Sequence, residues 1–173
     1  MLARFALALG ALSLSGALVA AQGAKPTDPQ IAHIAYTAGQ LDIEAANQAL
    51  TISKNKDVRA FAEEMVRDHA AVNKQALDLC KKLGVTPEDN DTSKSLTKGA
   101  VAKRAELGKL SGVEFDKAYV ANEAAYHKTV NSVLQTTLIP SSTNGELKAL
   151  LQTGLKLFQG HQQHAEHVVT LMK

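Results

Sequence analysis

Hydrophobic residues recur every three or four positions along most of the chain, the spacing of one face of an α-helix. Asp28-Pro29 is a suitable start for a helix, and Gly84 followed by Pro87 is a suitable stop. No stretch shows the strict alternation of a β-strand. The pattern predicts four long amphipathic helices: helix A over 29–52, helix B over 55–83, helix C over 113–136 and helix D over 146–172.

The connection between helices B and C is long and polar. It covers residues 85–112, and a weaker helical pattern occupies residues 93–110 within it. Residues 139–145, between helices C and D, have the composition of a loop. Four amphipathic helices with one long crossover that contains a short helix predict an all-α four-helix bundle.

The first residues have the features of a secretory signal peptide. A basic start is followed by an apolar stretch over 5–19 and by the small residues Val19, Ala20 and Ala21. We therefore expect residues 1–21 to be removed, residues 22–28 to form a linker and residues 29–173 to form one domain. Later segments fall short of the roughly 20 apolar residues of a membrane span. Export to the periplasm, with no integral membrane segment after cleavage, is the expected localisation.

Composition excludes several classes of function. The 19 Lys and Arg residues nearly balance the 17 Asp and Glu residues and form no basic block, so a nucleic-acid partner is not expected. Cys80 is the single cysteine and lies on an apolar helix face, which indicates a packed thiol. The sequence contains neither a nucleophile-elbow motif nor a glycine-rich phosphate loop. No catalytic residue is assigned.

Each predicted helix carries a polar side chain that could bind a metal within its apolar face. Helical phase, at about 100° per residue, turns these side chains inward. They are Asp42 on helix A, His69 on helix B, Glu123 on helix C and His161 on helix D. His127, one turn from Glu123, is an adjacent alternate. His164 lies at the margin of its helix face, and His167 turns toward solvent.

The four inward residues lie near the middle of their helices, so they could meet at one level of the bundle. Imidazole and carboxylate from facing helices are the ligands of many bundle metal sites. Two interpretations stay open. One is a mononuclear site for zinc, copper, iron or manganese, and the other is a set of buried acid–imidazole pairs that fix helix register.

Three runs of sequence carry a resemblance to a known family. They are residues 58–69, residues 115–120 followed by His127, and residues 157–161 with Ala165. In these runs the chain resembles the uncharacterised exported bacterial ferritin-like family often labelled predicted outer membrane protein. The resemblance implies a ferritin-like four-helix fold and no established activity.

The chain departs from ferritin-like di-iron proteins at two positions. Those sites use Glu-x-x-His on two helices. Here Val66 stands three residues before His69, and Phe158 stands three residues before His161. A di-iron oxidase or a storage ferroxidase is therefore not expected.

The expected function is transition-metal binding in the bundle core, in stress response or metal handling. One alternative is a metal-free structural or interaction module. Another is a non-haem metal redox enzyme, which would need an open coordination position beside a cleft. Ile43 and Leu50 flank the main stripe of helix A, so we expect this helix to contact either the crossover helix or a second copy of the chain in a homo-oligomer.

Overall fold

The computed structural model describes residues 25–172, and all regular structure within them is helical, which confirms the all-α prediction. The predicted leader and the start of the predicted linker lie outside the described residues. No helix of the described part is long and apolar enough to cross a membrane. The elements are α1 (Asp28–Ile52), α2 (Lys56–Leu83), α3 (Asp91–Leu107), α4 (Gly112–Val133), a π-helical turn (Leu134–Leu138), the three-residue α5 (Ile139–Ser141) and α6 (Gly145–Leu171).

Asparagine side chains start two of the long helices. Asn55 accepts hydrogen bonds from the first-turn N–H groups of α2, and Asn144 does the same for α6. These bonds satisfy backbone donors that have no partner inside the helix. Gly84 ends α2 as predicted, in the left-handed conformation with φ of 65° that glycine adopts without strain.

The start of α1 differs by one residue from the prediction. Thr27 is the residue that precedes the helix, and its N–H donates to Gln30. Asp28 is the first helical residue, and its carboxylate accepts hydrogen bonds from the Ser142 hydroxyl, the Thr143 N–H and hydroxyl, and the Asn144 N–H. Asp28 therefore joins the start of α1 to the segment before α6. Helical periodicity could not indicate this role because it depends on a loop more than 100 residues away.

The helical path after α4 is longer than predicted. Residues 139–141 were expected in a loop, but the chain passes from the π-helical turn into α5. The Ile139 N–H donates to the Leu134 carbonyl five residues earlier, so the widened turn lets the helix continue to Pro140. Leu134 and Leu138 stay buried as a result. The free energy gained by burying these two leucines favours helix here, although the composition of the segment is typical of a loop.

The helices enclose two apolar clusters, one at each end. α1 packs along α2, α4 packs along α6, and α2 also contacts α6. One cluster includes Phe61, Met65, Phe115, Tyr119 and Val168. The other includes Ile31, Leu134, Leu147, Leu151 and Phe158. The level between the clusters is where the polar side chains lie.

The crossover helix α3 packs against α1. The Gln48 side chain donates to the Arg104 carbonyl at 2.9 Å, and the Arg104 guanidinium pairs with Glu44. Leu107 is buried with the first cluster. Of the two contacts considered for helix A, the crossover helix is therefore present in the monomer.

We predict that Asp28→Asn lowers the free energy of unfolding by about 2 kcal/mol at neutral pH, because the charged acceptor of four hydrogen bonds is lost. Burial acts to raise the pKa of Asp28, but hydrogen bonds from Thr143, Ser142 and Asn144 lower it overall below 3.8. The stabilisation is thus present above pH 3.8 and is lost as the pH falls through the folded-state pKa. Urea unfolding at several pH values measures this effect.

The matched control is Asp57→Asn. Asp57 also lies in the first turn of a long helix, but it is exposed. Equal destabilisation by the two substitutions would show that the helix dipole, and not the loop contact, explains the effect.

Candidate metal centre

Five ionisable side chains form a polar layer between the two apolar clusters. Their residues are only 1–3% exposed. Each of α1, α2 and α6 supplies one of them, and α4 supplies two. They are Asp42, His69, Glu123, His127 and His161. The structure therefore brings together the four inward residues and the adjacent alternate that helical phase selects.

Asp42 lies at the middle of this layer. Its Oδ2 atom is 3.4 Å from His69 Nε2 and 3.4 Å from His127 Nε2. Neither contact has hydrogen-bond geometry, and none of these three atoms has a hydrogen-bond partner among the described residues. Two imidazole nitrogens and one carboxylate oxygen therefore face one another without bonding to one another.

His127 has a defined orientation. Its Nδ1 is 3.0 Å from the Glu123 carbonyl one turn earlier. Because a carbonyl only accepts, Nδ1 carries the hydrogen and Nε2 has the lone pair. The backbone of α4 thus directs the Nε2 lone pair toward Asp42. The Glu123 carboxylate lies 3.9 Å from the same Nδ1, and its Oε2 atom has no partner among the described residues.

His161 is oriented by a residue that the phase analysis did not select. Its Nε2 donates to Asp68 Oδ2 at 3.1 Å, and Asp68 Oδ1 accepts from Arg67 at 2.7 Å. The Nδ1 atom of His161 is buried and has no partner in the described part of the chain. Asp68 therefore sets the tautomer in which Nδ1 has the lone pair.

The three buried histidine rings lie close together. Their centroids are 5.2–5.7 Å apart, and one nitrogen from each ring lies within 4.8 Å of the others. The Phe158 ring stacks on His69 at 4.7 Å with an interplanar angle of 10°. Phe158 thus covers one face of the His69 ring.

Burial disfavours charge on every member of the layer. It raises the pKa of Asp42 to about 8 and the pKa of Glu123 well above its usual value, with the Asp42 charge adding to the latter. Burial lowers the pKa of His127 to about 4 and the pKa of His69 well below its usual value. Without a bound cation, the layer is therefore neutral near pH 7.

The layer contains two overlapping groups whose ligand atoms lie within 4.8 Å of one another. One is His69, His127 and His161, and the other is Asp42, Glu123 and His127. His164 belongs to neither group. Its side chain is 37% exposed, and its Nδ1 pairs with Glu64 at 2.5 Å. His164 therefore lies outside the layer, at the margin of its helix.

Glu64 and Asp68 were missed as partners of the α6 histidines. Both lie on α2 four residues apart, and His161 and His164 lie three apart on α6, so each pair shares a helix face. The two spacings are visible in the sequence. What the sequence does not show is that these faces meet.

A cavity of about 70 Å³ adjoins the layer. His69, His127 and Asn73 lie at its polar side, and the remaining lining is largely aliphatic and aromatic. Gly39 faces Asn73 so closely that a Cβ atom there would lie 2.5 Å from Asn73 Oδ1. Two of the three layer histidines therefore border an apolar space.

Comparison with known proteins places the chain in a family. The model of a domain of unknown function, DUF4142, matches residues 14–168, which is most of the chain. The chain belongs to the DUF4142 family. No curated protein shows significant similarity to the sequence. Membership in DUF4142 agrees with the expected resemblance to an uncharacterised family.

A solved structure shares the fold of this DUF4142 chain. It is a DUF305 protein from Streptomyces coelicolor that is described as secreted. The two superpose with a TM-score of 0.62 over 84% of this chain and 88% of that one, at 16% identity. The superposition shows a common helical fold, and the low identity carries no chemistry from that protein to this one.

We predict that Asp42→Asn becomes more stable relative to wild type as the pH rises, when both proteins are kept in a metal chelator. The folded-state pKa of Asp42 is raised from 3.8 to about 8. Its stabilising contribution is thus complete below pH 3.8 and is lost as the pH rises through about 8. Because the substituted asparagine side chain cannot ionise, the difference in unfolding free energy should grow by on the order of 5 kcal/mol over this range, at about 1.4 kcal/mol for each pH unit. Urea unfolding of both proteins across this pH range measures the difference.

Asp78→Asn is the control, since Asp78 lies on the surface of α2. The same pH trend in both variants would contradict an origin in the buried layer.

Proposed function

We propose that the protein is an exported helical-bundle protein that binds one transition-metal ion in the buried layer. Asp42, His69, His127 and His161 would supply the ligands, and Glu123 would be an alternate ligand or a partner beside His127. Zinc, copper, iron and manganese all accept mixed imidazole and carboxylate ligation. The role would be in metal handling or stress response.

The contacts of Asp42 Oδ2 carry this proposal. Two ligand atoms bound at about 2.0–2.2 Å and tetrahedral angles lie about 3.4 Å apart. The Asp42 oxygen is 3.4 Å from both His69 Nε2 and His127 Nε2. A direct N–H···O hydrogen bond would be shorter, at about 2.9 Å. Each of these two separations therefore fits a pair of ligands on one cation better than it fits an acid–imidazole hydrogen bond. The three histidines have ligand atoms within 4.8 Å of one another, and so do Asp42, Glu123 and His127, so binding of Asp42 together with all three histidines requires a small movement of the side chains.

The hydrogen bonds on the far sides of two rings support the same conclusion. Metal-binding histidines commonly donate their other N–H to a carbonyl or carboxylate, which directs the lone pair at the ion. His127 does so to the Glu123 carbonyl, and His161 does so to Asp68. His161 Nδ1 would be the fourth ligand.

The residues fit one ion better than a ferritin-like di-iron pair. We interpret the paired α1–α2 and α4–α6 helices, joined through α3, as a ferritin-like four-helix arrangement. The second metal of such proteins needs bridging glutamates. Val66 and Phe158 occupy those positions here, and Phe158 packs flat on His69.

Metal content of the purified protein tests the proposal. We expect about one equivalent of ion in the wild type, and His69→Ala and His161→Ala should lower the affinity at least about 100-fold. His167→Ala is the matched control because His167 is exposed on the same helix as His161. Inductively coupled plasma mass spectrometry and zinc competition with a chromophoric chelator provide the measurements. Metal content that is indifferent to both layer substitutions would overturn the proposal and favour a metal-free polar core.

The cavity favours a second candidate function, a non-haem metal redox enzyme. A small apolar space beside His69 and His127 would let a small molecule reach a bound ion. We expect such an enzyme to consume dioxygen or hydrogen peroxide when loaded with iron, manganese or copper. Val72→Phe, which places a larger ring at the cavity wall, should lower turnover at least tenfold without lowering metal content. Turnover that is equal in the two proteins would exclude the cavity as the substrate site.

A further inference from the structure

A second group of metal-competent side chains lies at the seam between α2 and α6. Glu64, Asp68 and His161 have ligand atoms within 4.8 Å of one another. The Glu64 side chain is 29% exposed and that of Asp68 is 17% exposed, in contrast to the sealed layer. This outer group is therefore the point where ligands connected to the layer meet solvent.

His161 belongs to both groups through different nitrogens. Its Nε2 is 3.1 Å from Asp68 Oδ2, on the seam side. Its Nδ1 is buried and has no partner among the described residues. A neutral imidazole has one lone pair and one N–H, so His161 can bind an ion through only one nitrogen at a time. Occupation of the seam and use of His161 by the layer therefore exclude each other.

The carboxylates of the seam retain an acceptor oxygen beside His161 and one that does not pair with His164. Arg67 donates a hydrogen bond to Oδ1 of Asp68, so Oδ2 is the oxygen that faces His161. His164 pairs with Oε2 of Glu64, so Oε1 is not used in that contact. Two carboxylates stand against the one guanidinium of Arg67, so this partly exposed pair keeps a net negative charge at the edge of the buried layer, where it would attract a divalent ion.

We propose that Glu64, Asp68 and His161 form an outer binding position that takes up a divalent transition-metal ion from solvent and transfers it to the buried layer. The ion first binds Nε2 of His161, with Nδ1 protonated. Transfer moves the ion to Nδ1, and the proton returns to Nε2, where Asp68 accepts its hydrogen bond. The imidazole stays neutral and keeps one proton throughout. When the ion takes the lone pair of one nitrogen, the proton of that nitrogen is released to water and the other nitrogen takes up a proton from water. The transfer step rests on the proposed function of the layer, whereas the outer position does not.

Cobalt(II) loading of the chelator-treated mature protein tests the transfer, followed by stopped-flow absorption. Glu64→Gln should slow both loading and release by about tenfold, because the ion reaches the layer through a weakened outer position. The equilibrium affinity of the layer should then stay unchanged. Glu63→Gln is the matched control, since Glu63 is the preceding residue, carries the same charge and is 64% exposed. If cobalt loads the Glu64→Gln protein as fast as it loads the Glu63→Gln protein, the proposed transfer is overturned.

A His69→Ala background separates the outer position from the layer. With the layer weakened, the outer position should still bind one cobalt ion, and the additional Glu64→Gln change should abolish this binding. If the His69→Ala protein binds cobalt as tightly as the wild type while the Glu64→Gln protein binds none, the layer proposal fails and the outer position stands. If the His69→Ala protein binds no cobalt, or binds it equally with and without Glu64→Gln, the outer position is overturned.

Discussion

The burial of ionisable side chains at one level of the molecule is the constraint on which the rest of the structure depends. Asp42 and its neighbours are almost completely removed from water. An unpaired charge in such an environment costs several kcal/mol, so the layer must be neutral or must hold a compensating cation. The same burial that raises the pKa of Asp42 also strengthens its attraction to a cation, because the local dielectric is low. A metal ion bound at Asp42 would therefore compete with a proton for the carboxylate.

The apolar clusters on either side of the layer exclude water from it and so keep the local dielectric low. Phe158 contributes directly, since it belongs to one cluster and stacks on His69. Two neighbouring residues of α2 have different roles. His69 points into the layer, while Asp68, about 100° around the helix, turns to α6 and orients His161. One turn of helix thus supplies a candidate ligand and the partner that positions another.

Helical periodicity was enough to predict which side chains turn inward, because the apolar faces of the long helices are wide and regular. Asp42, His69, Glu123 and His161 all lie in the buried layer for this reason. Their use as metal ligands stays a prediction. The role of Asp68 could not be predicted, because its side chain lies at the flank of its helix, where function depends on which helix packs alongside. Segments fixed by tertiary contacts escaped prediction for the same physical reason: Asp28 resembles a helix cap in sequence, yet its carboxylate binds groups from residues 142–144.

The fold shared with the DUF305 protein does not determine the chemistry of the layer, which depends on local geometry. The strongest local constraint is the Phe158 ring, which lies flat on His69 at a centroid distance of 4.7 Å. The ring thus occupies the space on that side of His69. On the opposite side, the Glu123 carbonyl uses the remaining nitrogen of His127. The Phe158 ring and the Glu123 carbonyl thus orient the His69 and His127 rings, whose Nε2 atoms each lie 3.4 Å from Asp42 Oδ2. The proposal of a single ion rests on this arrangement.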